Sequence, residues 1–372
     1  MCYKSIRRKN NNDPPIVMQH YCTNQINNGG PATGALLLIN SKLKEKYNFI
    51  SLEQTFAPHG INLKLLHDLY KKIKRVKPDI LHIRGLQSEG FYGVLAGKLA
   101  GCKKIVVSVH GLYGDDYSCQ GFKKWIFSNI IEPLTLKMAD LVYCVCEYAT
   151  KREIIYKNAS HLYGYIWNAA PDYSQYNKEE IREKVRKELM INDTDIIVVT
   201  VSRISKDKGF EYLIDAIKKI NSNKTIKFLI IGDGPYLNVV KEHLREDIVK
   251  ENVVLLGKSD KVPELLLSSD IFVFPSLHEN LSNALLEACA ASLPCIATNV
   301  GGNPEVIIHE QSGIIIEPRN STQLKEAIET LIESEALRSE YGQSAYERIK
   351  KEFSQEIIFE KIDSMYSSFL ND

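Results

Sequence analysis

The sequence predicts an α/β protein built from two doubly wound parallel-sheet domains, and three observations support that prediction. Short β-branched runs alternate with longer stretches of helical period, a pattern typical of parallel sheets covered by helices on both faces. The alternation forms two consecutive sets, with a polar break at 168–178 between them. The chain of 372 residues is also longer than one ordinary core accommodates.

The first set predicts a domain over residues 1–170. Its strands and helices alternate in order, and each strand is short and apolar. The predicted strands are 16–20, 79–83, 104–109 and 140–145, and the predicted helices are 35–46, 63–77, 88–100 and 122–137.

The second set predicts a domain over residues 171–354. A helix predicted at 323–333 has its apolar residues on one face and begins with a capping box from Asn320 to Gln323. The final helix, within 355–372, follows the completed second set, and we expect it to pack back on the first domain. The predicted strands are 195–201, 227–231, 252–256, 270–274, 294–298 and 313–316.

Composition restricts the class of protein. A hydrophobic fraction of 44% with 25% charged residues is that of a soluble globular chain. No apolar run approaches the ~20 residues that a membrane span requires, and the polar N-terminus lacks the apolar region of a secretory signal. We therefore expect a cytoplasmic protein. The eight cysteines include no C-x-x-C pair, which favours free thiols over a metal site or disulfides.

Charge is distributed unevenly along the chain. Basic residues outnumber acidic ones in residues 1–170, and the reverse holds in 171–372, although the net charge is only +1. The first half is therefore expected to meet something anionic, such as a membrane surface or a phosphorylated acceptor. Two complementary domain surfaces are an equal alternative.

The strongest chemical motif is HENLSNALLEA at 278–288. It places Glu279 in the loop after a predicted strand and Glu287 inside the following helix, which Ser282 can cap. Such a helix directs free amide groups and the positive end of its dipole toward a ligand. A diphosphate suits that position, and flanking carboxylates accept hydrogen bonds from sugar hydroxyls.

The second motif is VSRISKDKG at 201–209. Arg203 and Lys208 lie in the loop between a predicted strand and the next helix, at the carboxyl end of the sheet where ligands bind in such folds. Two fixed cations can neutralise a leaving diphosphate without a metal ion.

These motifs resemble those of the retaining glycosyltransferases of family 4, which have the GT-B fold. The resemblance is dense from about residue 200 to 318, through VSRISKDKGFEYLIDA, IGDGPYL and the E-x7-E of SLHENLSNALLEA. It is thinner in the first half, through INNGGPATGALLLINSKL, DILHIRG, SVHGLYGD and IWNAAPD. It implies a nucleotide-sugar-binding second domain and an acceptor-binding first domain.

The resemblance also implies individual roles. Arg203 and Lys208 correspond to the pair that binds the pyrophosphate. Glu287 corresponds to the carboxylate that holds the ribose hydroxyls, and Glu279 to the one that contacts the donor sugar. His110 faces the transferred sugar in this resemblance, although an ordinary strand-end histidine is an alternative.

Further donor contacts are implied by position. The backbone amides of Asn280, Leu281 and Ser282 would meet the sugar or its phosphate, and Gly232 and Leu256 mark strand ends beside the nucleobase.

In the first half, Gly29 and Gly30 correspond to the glycine loop over the donor phosphates, where backbone must approach phosphate closely. Asp115 or Asp116 has a weak correspondence to acceptor-binding residues. Two departures from the family stand out: Asn280 occupies a position where glycine is frequent, and the glycine loop lacks a frequent acidic residue.

The implied reaction transfers a sugar from a nucleotide-sugar donor, most commonly a UDP-sugar in this family. The implied acceptor is a glycan or lipid-linked molecule of the cell envelope or an exopolysaccharide. The reaction retains anomeric configuration, and the leaving diphosphate helps to deprotonate the acceptor. No metal is expected, because the D-x-D at Asp193–Asp195 precedes its strand and is interpreted as a turn.

Two basic helices indicate a possible peripheral contact with an anionic membrane. The helix at 63–77 has lysines opposite an apolar face, and Lys123, Lys124 and Trp125 lie together in the helix at 122–137. Ordinary packed helices with solvated faces are the alternative.

Other functions stay open at this point. An NAD-dependent oxidoreductase also has Rossmann-like domains, but Gly232-Asp233-Gly234 is only a partial dinucleotide motif. A non-catalytic nucleotide-sugar-binding protein is a second alternative. Nucleic-acid binding is not expected, because the basic residues are not interleaved with a platform for base stacking.

Overall fold

The computed structural model describes residues 13–23, 30–56, 58, 60–115 and 121–371. These form two compact units by their internal contacts. Unit 1 comprises Met1–Asn168 and Glu356–Asp372, and unit 2 comprises Ala169–Gln355. Each described unit carries a six-stranded sheet whose strands pair in parallel.

The sheet of unit 1 has the strand order β2-β1-β3-β4-β5-β6. Its strands are mostly buried, because helices cover both faces of such a sheet. They are β1 (Ile16–Cys22), β2 (Asn48–Gln54), β3 (Ile80–Arg84), β4 (Ile105–Val109), β5 (Leu141–Cys144) and β6 (Leu162–Tyr165).

Two of these strands, β2 and β6, are absent from the sequence-based prediction. Both lie at the edges of the sheet, where one side of the strand has no partner strand among the described residues. The strand β2 alternates buried and exposed residues, and β6 is only four residues long with no fully buried residue. Edge strands of this kind lack the continuous apolar run that marks a central parallel strand.

Helices of unit 1 follow the predicted alternation. They are α1 (Gly30–Ile39), α2 (Leu63–Val76), α3 (Ser88–Ala100), α4 (Gly121–Ile126), α5 (Glu132–Met138), α6 (Glu147–Thr150), α7 (Glu153–Asn158) and α17 (Gln355–Asn371). A π-helical segment, Phe127–Ile131, joins α4 to α5. A 3₁₀ turn at Tyr113–Asp115 follows β4.

The helix predicted at 35–46 is displaced toward the N-terminus. The structure begins α1 at Gly30 and ends it at Ile39, and a separate 3₁₀ turn capped by Ser41 covers Lys42–Glu45. Pro31 fits the first helical turn because its missing amide is not needed there. Gly30 therefore belongs to the first turn of α1, where the prediction had a loop.

The sheet of unit 2 has the order β12-β11-β10-β7-β8-β9. Its strands are β7 (Ile196–Val201), β8 (Ile226–Ile231), β9 (Val253–Gly257), β10 (Ile271–Phe274), β11 (Cys295–Thr298) and β12 (Gly313–Ile316). Each lies within one residue of its prediction at either end.

The helices of unit 2 pack against this sheet. They are α8 (Lys178–Glu188), α9 (Phe210–Lys219), α10 (Leu237–His243), α11 (Arg245–Val249), α12 (Val262–Leu267), α13 (Asn283–Ala290), α14 (Asn303–Val306), α15 (Ser321–Glu333) and α16 (Glu335–Arg348). Asn320 caps α15 by accepting from the amide of Gln323, but Gln323 in turn accepts from the amide of Glu317. The expected capping box is therefore only half formed.

A polar layer lies inside unit 1. The hydroxyl of Tyr366 on α17 accepts from Gln19 Nε2 at 2.8 Å and lies 2.5 Å from His82 Nδ1. All three residues are buried, so the bonds offset the cost of removing these groups from water. No described helix is both long and apolar enough to cross a bilayer.

Candidate functional site

Two loops meet at the carboxyl edge of the sheet in unit 2, because their strands β7 and β10 are neighbours. The amide of Leu277, after β10, donates to the carbonyl of Asp207, after β7, at 2.7 Å. Ser276 Oγ lies 3.3 Å from the same carbonyl oxygen. The loops therefore hold each other through backbone groups, and the motif residues that they carry have fixed positions.

Lys208 and Glu279 form the centre of this arrangement. Lys208 Nζ lies 2.5 Å from Glu279 Oε1, which also accepts from Ser276 Oγ at 3.0 Å. The two side chains are 19% and 11% exposed, so solvent screens the pair only partly. The structure thus joins two residues that the sequence had placed in separate motifs.

Arg203 is more exposed than Lys208. Its Nη2 lies 3.6 Å from Asp207 Oδ2, and 55% of its side chain is accessible. Asp207 Oδ2 also lies 3.9 Å from Lys208 Nζ. Both predicted cations therefore lie beside Asp207. The guanidinium of Arg203 is exposed, so an anion from solvent can reach it.

Two glycines allow these loops to approach each other. At Gly209, with φ of 71°, a Cβ would lie 1.8 Å from the carbonyl oxygen of Pro275. At Gly301, with φ of 56°, a Cβ would lie 1.9 Å from the carbonyl oxygen of Glu279. Any side chain at either position would force the loop carrying Lys208 or Glu279 to move.

The helix α13 begins as its sequence predicts. Ser282 Oγ accepts from the amide of Leu285 at 3.2 Å. Asn280, Leu281 and Ser282 are all buried, and the amide of Gly302 donates to the carbonyl of Asn280 at 2.6 Å. The start of α13 is therefore a fixed, buried turn, which suits the role that the sequence implies for its amides.

Glu287 lies in the second turn of α13. Burial raises the pKa of this carboxyl to about 7. Its charge in turn contributes to the raised pKa of Tyr173, after the larger effect of burial. Hydrogen bonds donated by ligand hydroxyls would stabilise the ionised form of this carboxyl.

Glu287 also makes stability depend on pH. Its pKa is higher in the folded protein than its ordinary value of 4.5, so the folded state holds more protons between the two values and loses stability as pH rises. Without donor, we expect Glu287→Gln to match wild type near about pH 5 and to melt at a higher temperature near about pH 8. Glu132, which also titrates near neutrality, is common to both proteins. A constant difference in Tm across this range would contradict the prediction.

Gly232 follows β8, and Leu256 lies near the end of the neighbouring strand β9. Gly232 has φ of 140°, and a Cβ there would lie 1.8 Å from the carbonyl oxygen of Ser202. Its amide donates to the carbonyl of Gly257 at 2.8 Å. Leu256 is half-buried, so part of its side chain can contact a ligand. Gly232 thus draws the end of β8 against the loop that bears Arg203.

In unit 1, His110 follows β4. Its Nε2 lies 3.0 Å from Ser108 Oγ. Burial, followed by the positive charge of Arg84, lowers the pKa of this imidazole to about 3. His110 is therefore neutral at physiological pH. Gly29 and Asp116 lie outside the described residues.

Asp115 is held by an arginine that the sequence analysis did not single out. Arg152 binds it with two nitrogens, at 3.1 and 2.8 Å. Glu132 holds the same segment, because its Oε1 accepts from the amide of Tyr113 at 2.6 Å. Burial raises the pKa of Glu132 to about 7. The sequence offered one signal for Glu132: it is a lone acidic residue between apolar neighbours in the helix predicted at 122–137.

The aspartates at 193 and 195 lie in a turn, as interpreted. Asp195 Oδ2 accepts from the amide of Asn192 at 3.0 Å. In the part of the chain that the structure describes, no group of three or more His, Cys, Asp or Glu side chains could hold a metal ion.

Comparison with known proteins identifies the family. A profile described as "Glycosyl transferases group 1" matches residues 181–348, and one described as "Glycosyltransferase Family 4" matches residues 45–155. An N-acetyl-alpha-D-glucosaminyl L-malate synthase of Bacillus anthracis is 28% identical, covering 84% of this chain and 80% of that protein. A UDP-Gal:alpha-D-GlcNAc-diphosphoundecaprenol alpha-1,3-galactosyltransferase of Escherichia coli is 32% identical, covering 69% and 67%.

Solved structures show the same fold. The crystal structure of Anabaena Alr3699/HepE in complex with UDP-glucose has a TM-score of 0.80 at 18% identity, covering 95% of this chain and 100% of that one. WaaG, a glycosyltransferase involved in lipopolysaccharide biosynthesis, has a TM-score of 0.71 at 15% identity, covering 94% and 99%. These glycosyltransferase matches contradict the alternatives of an oxidoreductase and of a non-catalytic binding protein. The chain belongs to glycosyltransferase family 4, the group 1 glycosyltransferases, and is a glycosyltransferase with the GT-B fold.

Proposed function

We propose that this glycosyltransferase takes its sugar from a nucleoside diphosphate, with UDP the first candidate, and retains the anomeric configuration. We further propose that the acceptor is a glycan or lipid-linked intermediate of the cell envelope or an exopolysaccharide. The observation that carries the proposal is the partly buried pair of Lys208 and Glu279 beside the capped start of α13. It supplies a cation, a hydrogen-bond acceptor and the backbone amides of a helix start at one edge of the sheet.

Each group has a task in this proposal. Lys208 keeps donors for a phosphate oxygen besides the one bound by Glu279, and Arg203 adds a fork of donors from the solvent side. Glu279 accepts hydrogen bonds from sugar hydroxyls, and Glu287 from the ribose. Together the cations stabilise the charge that develops on the leaving diphosphate, so no metal is required.

Retention is proposed without a covalent intermediate on the enzyme. Glu279 is paired with an ammonium and accepts from a serine hydroxyl, which makes its carboxylate a poor nucleophile. The leaving diphosphate then takes the proton of the acceptor hydroxyl on the same face of the sugar.

The names of relatives support the choice of donor and acceptor. The Escherichia coli relative is named for a UDP-sugar and a diphosphoundecaprenol acceptor, and another relative is the "Capsular polysaccharide biosynthesis glycosyltransferase CapM" of Staphylococcus aureus.

Calorimetric binding of UDP, GDP and ADP tests the donor, with NAD as a negative control. We expect one nucleoside diphosphate, first of all UDP, to bind equally well with and without EDTA, and to bind roughly tenfold or more weakly to Arg203→Ala. Loss of UDP binding in EDTA would contradict the metal-free proposal. Failure of all three diphosphates to bind would contradict the proposed function.

We also propose that unit 1 contacts the cytoplasmic face of an anionic membrane. Phe122 and Trp125 are 75% and 53% exposed and stack with their ring centroids 5.9 Å apart. Lys123 between them is exposed, and Ile130 and Leu134 extend the apolar surface. Exposed aromatic residues beside lysines are typical of interfacial helices.

Sedimentation with anionic vesicles at low salt tests this contact. Replacing both Phe122 and Trp125 by serine removes most of the aromatic area, and we expect about tenfold weaker binding or more. Val249→Ser is the control, because Val249 is 77% exposed in unit 2. Equal binding of wild type to neutral and anionic vesicles would contradict the electrostatic part, and unchanged binding of the double variant would contradict the aromatic part.

A further inference from the structure

Exposed tyrosines are concentrated at one end of the sheet in unit 1. The chain has 19 tyrosines, yet the four most exposed among the described residues, at 36% to 56%, all lie between positions 148 and 165. They belong to α6, α7 and the edge strand β6, and α6 contacts both of the others. Groups of large exposed side chains mark ligand or partner sites, whereas single ones do not. The four residues, called the tyrosine surface below, are Tyr148, Tyr156, Tyr163 and Tyr165.

The strand β6 leaves its two tyrosines open to a ligand. Its outer edge faces no other strand among the described residues, and such an edge offers backbone donors and acceptors. Tyr163 is the extra residue of a β-bulge against β5, and bulges re-aim side chains. At Gly164, with φ of 117°, a Cβ would meet nothing within 4 Å. The ring of Tyr165 lies 5.3 Å from that of Trp167, which extends the aromatic area beyond the strand.

The charges around the tyrosine surface cancel. The helices α6 and α7 and the residues between them carry three basic side chains, and each forms an ion pair with a carboxylate. A surface without net charge does not concentrate anionic ligands or lipids, so it suits a neutral one. The pairs are Lys151–Glu147, Arg152–Asp115 and Lys157–Glu153.

Arg152 connects the tyrosine surface to the turn that follows His110. Its guanidinium carbon lies 5.7 Å from the centroid of the Tyr148 ring, and its nitrogens bind Asp115 at 3.1 and 2.8 Å. Asp115 ends the 3₁₀ turn after β4, and β6 is two strands from β4 in the sheet, about 10 Å away. The tyrosine surface is therefore continuous with the part of unit 1 that contains His110.

Sugars suit aromatic rings that have polar groups beside them. The C–H bonds of a pyranose pack on the negative face of a ring, and its hydroxyls bond to neighbouring polar groups. Tyrosine supplies both an apolar body and a polar tip. We infer that the tyrosine surface binds the neutral glycan chain of the acceptor, at sugars beyond the one that receives the transfer. This inference rests on the proposed function, because it extends the proposed acceptor site of unit 1.

The test titrates the whole chain, without donor, with maltohexaose, cellohexaose and chitohexaose, and follows binding by ligand-observed NMR. We expect wild type to bind at least one of them. The double variant Tyr163→Ser/Tyr165→Ser should bind that glycan roughly tenfold more weakly or less, because two stacking rings are lost. Tyr163→Phe/Tyr165→Phe keeps both ring faces and should keep most of the affinity. Tyr70→Ser is the matched control, since Tyr70 is a half-buried tyrosine of α2 outside the tyrosine surface.

Four results overturn the inference: wild type binds none of the three glycans, the control loses as much affinity as the serine variant, the phenylalanine variant does so, or the serine variant keeps its affinity. If the serine variant does not fold, Tyr156→Ser on the exposed side of α7 decides, and unchanged glycan affinity in that variant overturns the inference.

Other occupants and the donor site are tested separately. If the serine variant loses binding to anionic vesicles, or a dimer seen by light scattering, instead of glycan binding, the surface belongs to a membrane or to a second copy and the inference is overturned. Calorimetric titration with UDP should give the same affinity for wild type and the serine variant, and a lower affinity in the variant overturns an acceptor role. Because the glycan titration contains no donor, failure of wild type to bind UDP contradicts only the proposed function.

Discussion

Lys208→Ala is expected to lower kcat/KM, measured as release of UDP from UDP-sugar in the presence of acceptor, by roughly a hundred- to a thousandfold. Removing one preorganised group that stabilises negative charge in a transition state has an effect of about this size. The side chain contributes twice, since it faces the proposed diphosphate and neutralises Glu279 at 2.5 Å. Without Lys208, the carboxylate of Glu279 stays partly buried but has no counter-charge. The unpaired negative charge of Glu279 then repels the anionic donor.

The matched control is Lys206→Ala. Lys206 belongs to the same 3₁₀ turn, Lys206–Lys208, but is exposed, and we expect kcat/KM within about twofold of wild type because exposed charges contribute little. Comparable losses in both variants would indicate a general electrostatic effect and contradict the specific role of Lys208.

A double-mutant cycle tests the coupling of this pair. Glu279→Gln should lower UDP affinity in the wild-type background, where Glu279 holds Lys208 in place. In the Lys208→Ala background it should leave UDP affinity unchanged or raise it, because residues in direct contact are not additive. Additive losses would show that the two side chains act on the donor independently, contrary to the proposal.

The central strands and both chemical motifs were predictable because their signals are local. A buried parallel strand is a continuous apolar run, and the strand–loop–helix context of Glu279 and Lys208 is contained in a few residues each. The cap of α13 by Ser282 follows from sequence for the same reason. Each of these features depends on residues that are close together in the chain.

Features that depend on distant residues were not predictable. Lys208 and Glu279 are 71 positions apart, and no periodicity shows that they touch. The burial of Arg84, whose Nη2 donates to Gln19 Oε1, is visible only once the fold is known. In sequence, Arg84 ends an ordinary strand, and Glu132 belongs to an ordinary helix. Burial is a property of the fold, so pKa shifts that follow from burial could not be anticipated.

Gly209→Ala is expected to destabilise unit 2 by about 3 kcal/mol or more, which corresponds to a fall in Tm of about 6 °C or more. Two costs add. An L-residue at φ of 71° is strained by roughly 1–2 kcal/mol, and the new Cβ would lie 1.8 Å from the carbonyl oxygen of Pro275. That oxygen belongs to backbone, so relief requires the loop after β10 to shift.

Gly257→Ala separates the two costs. Gly257 has a similar φ of 66°, but a Cβ there would meet nothing within 4 Å, so its variant should show only the conformational strain. The loop shift in Gly209→Ala should also pull Glu279 from Lys208, and UDP should then stabilise this variant less than it stabilises Gly257→Ala. Equal Tm values for the two variants would mean that the close approach of the loops contributes nothing to stability. Equal UDP responses would mean that the backbone contact does not position the Lys208–Glu279 pair.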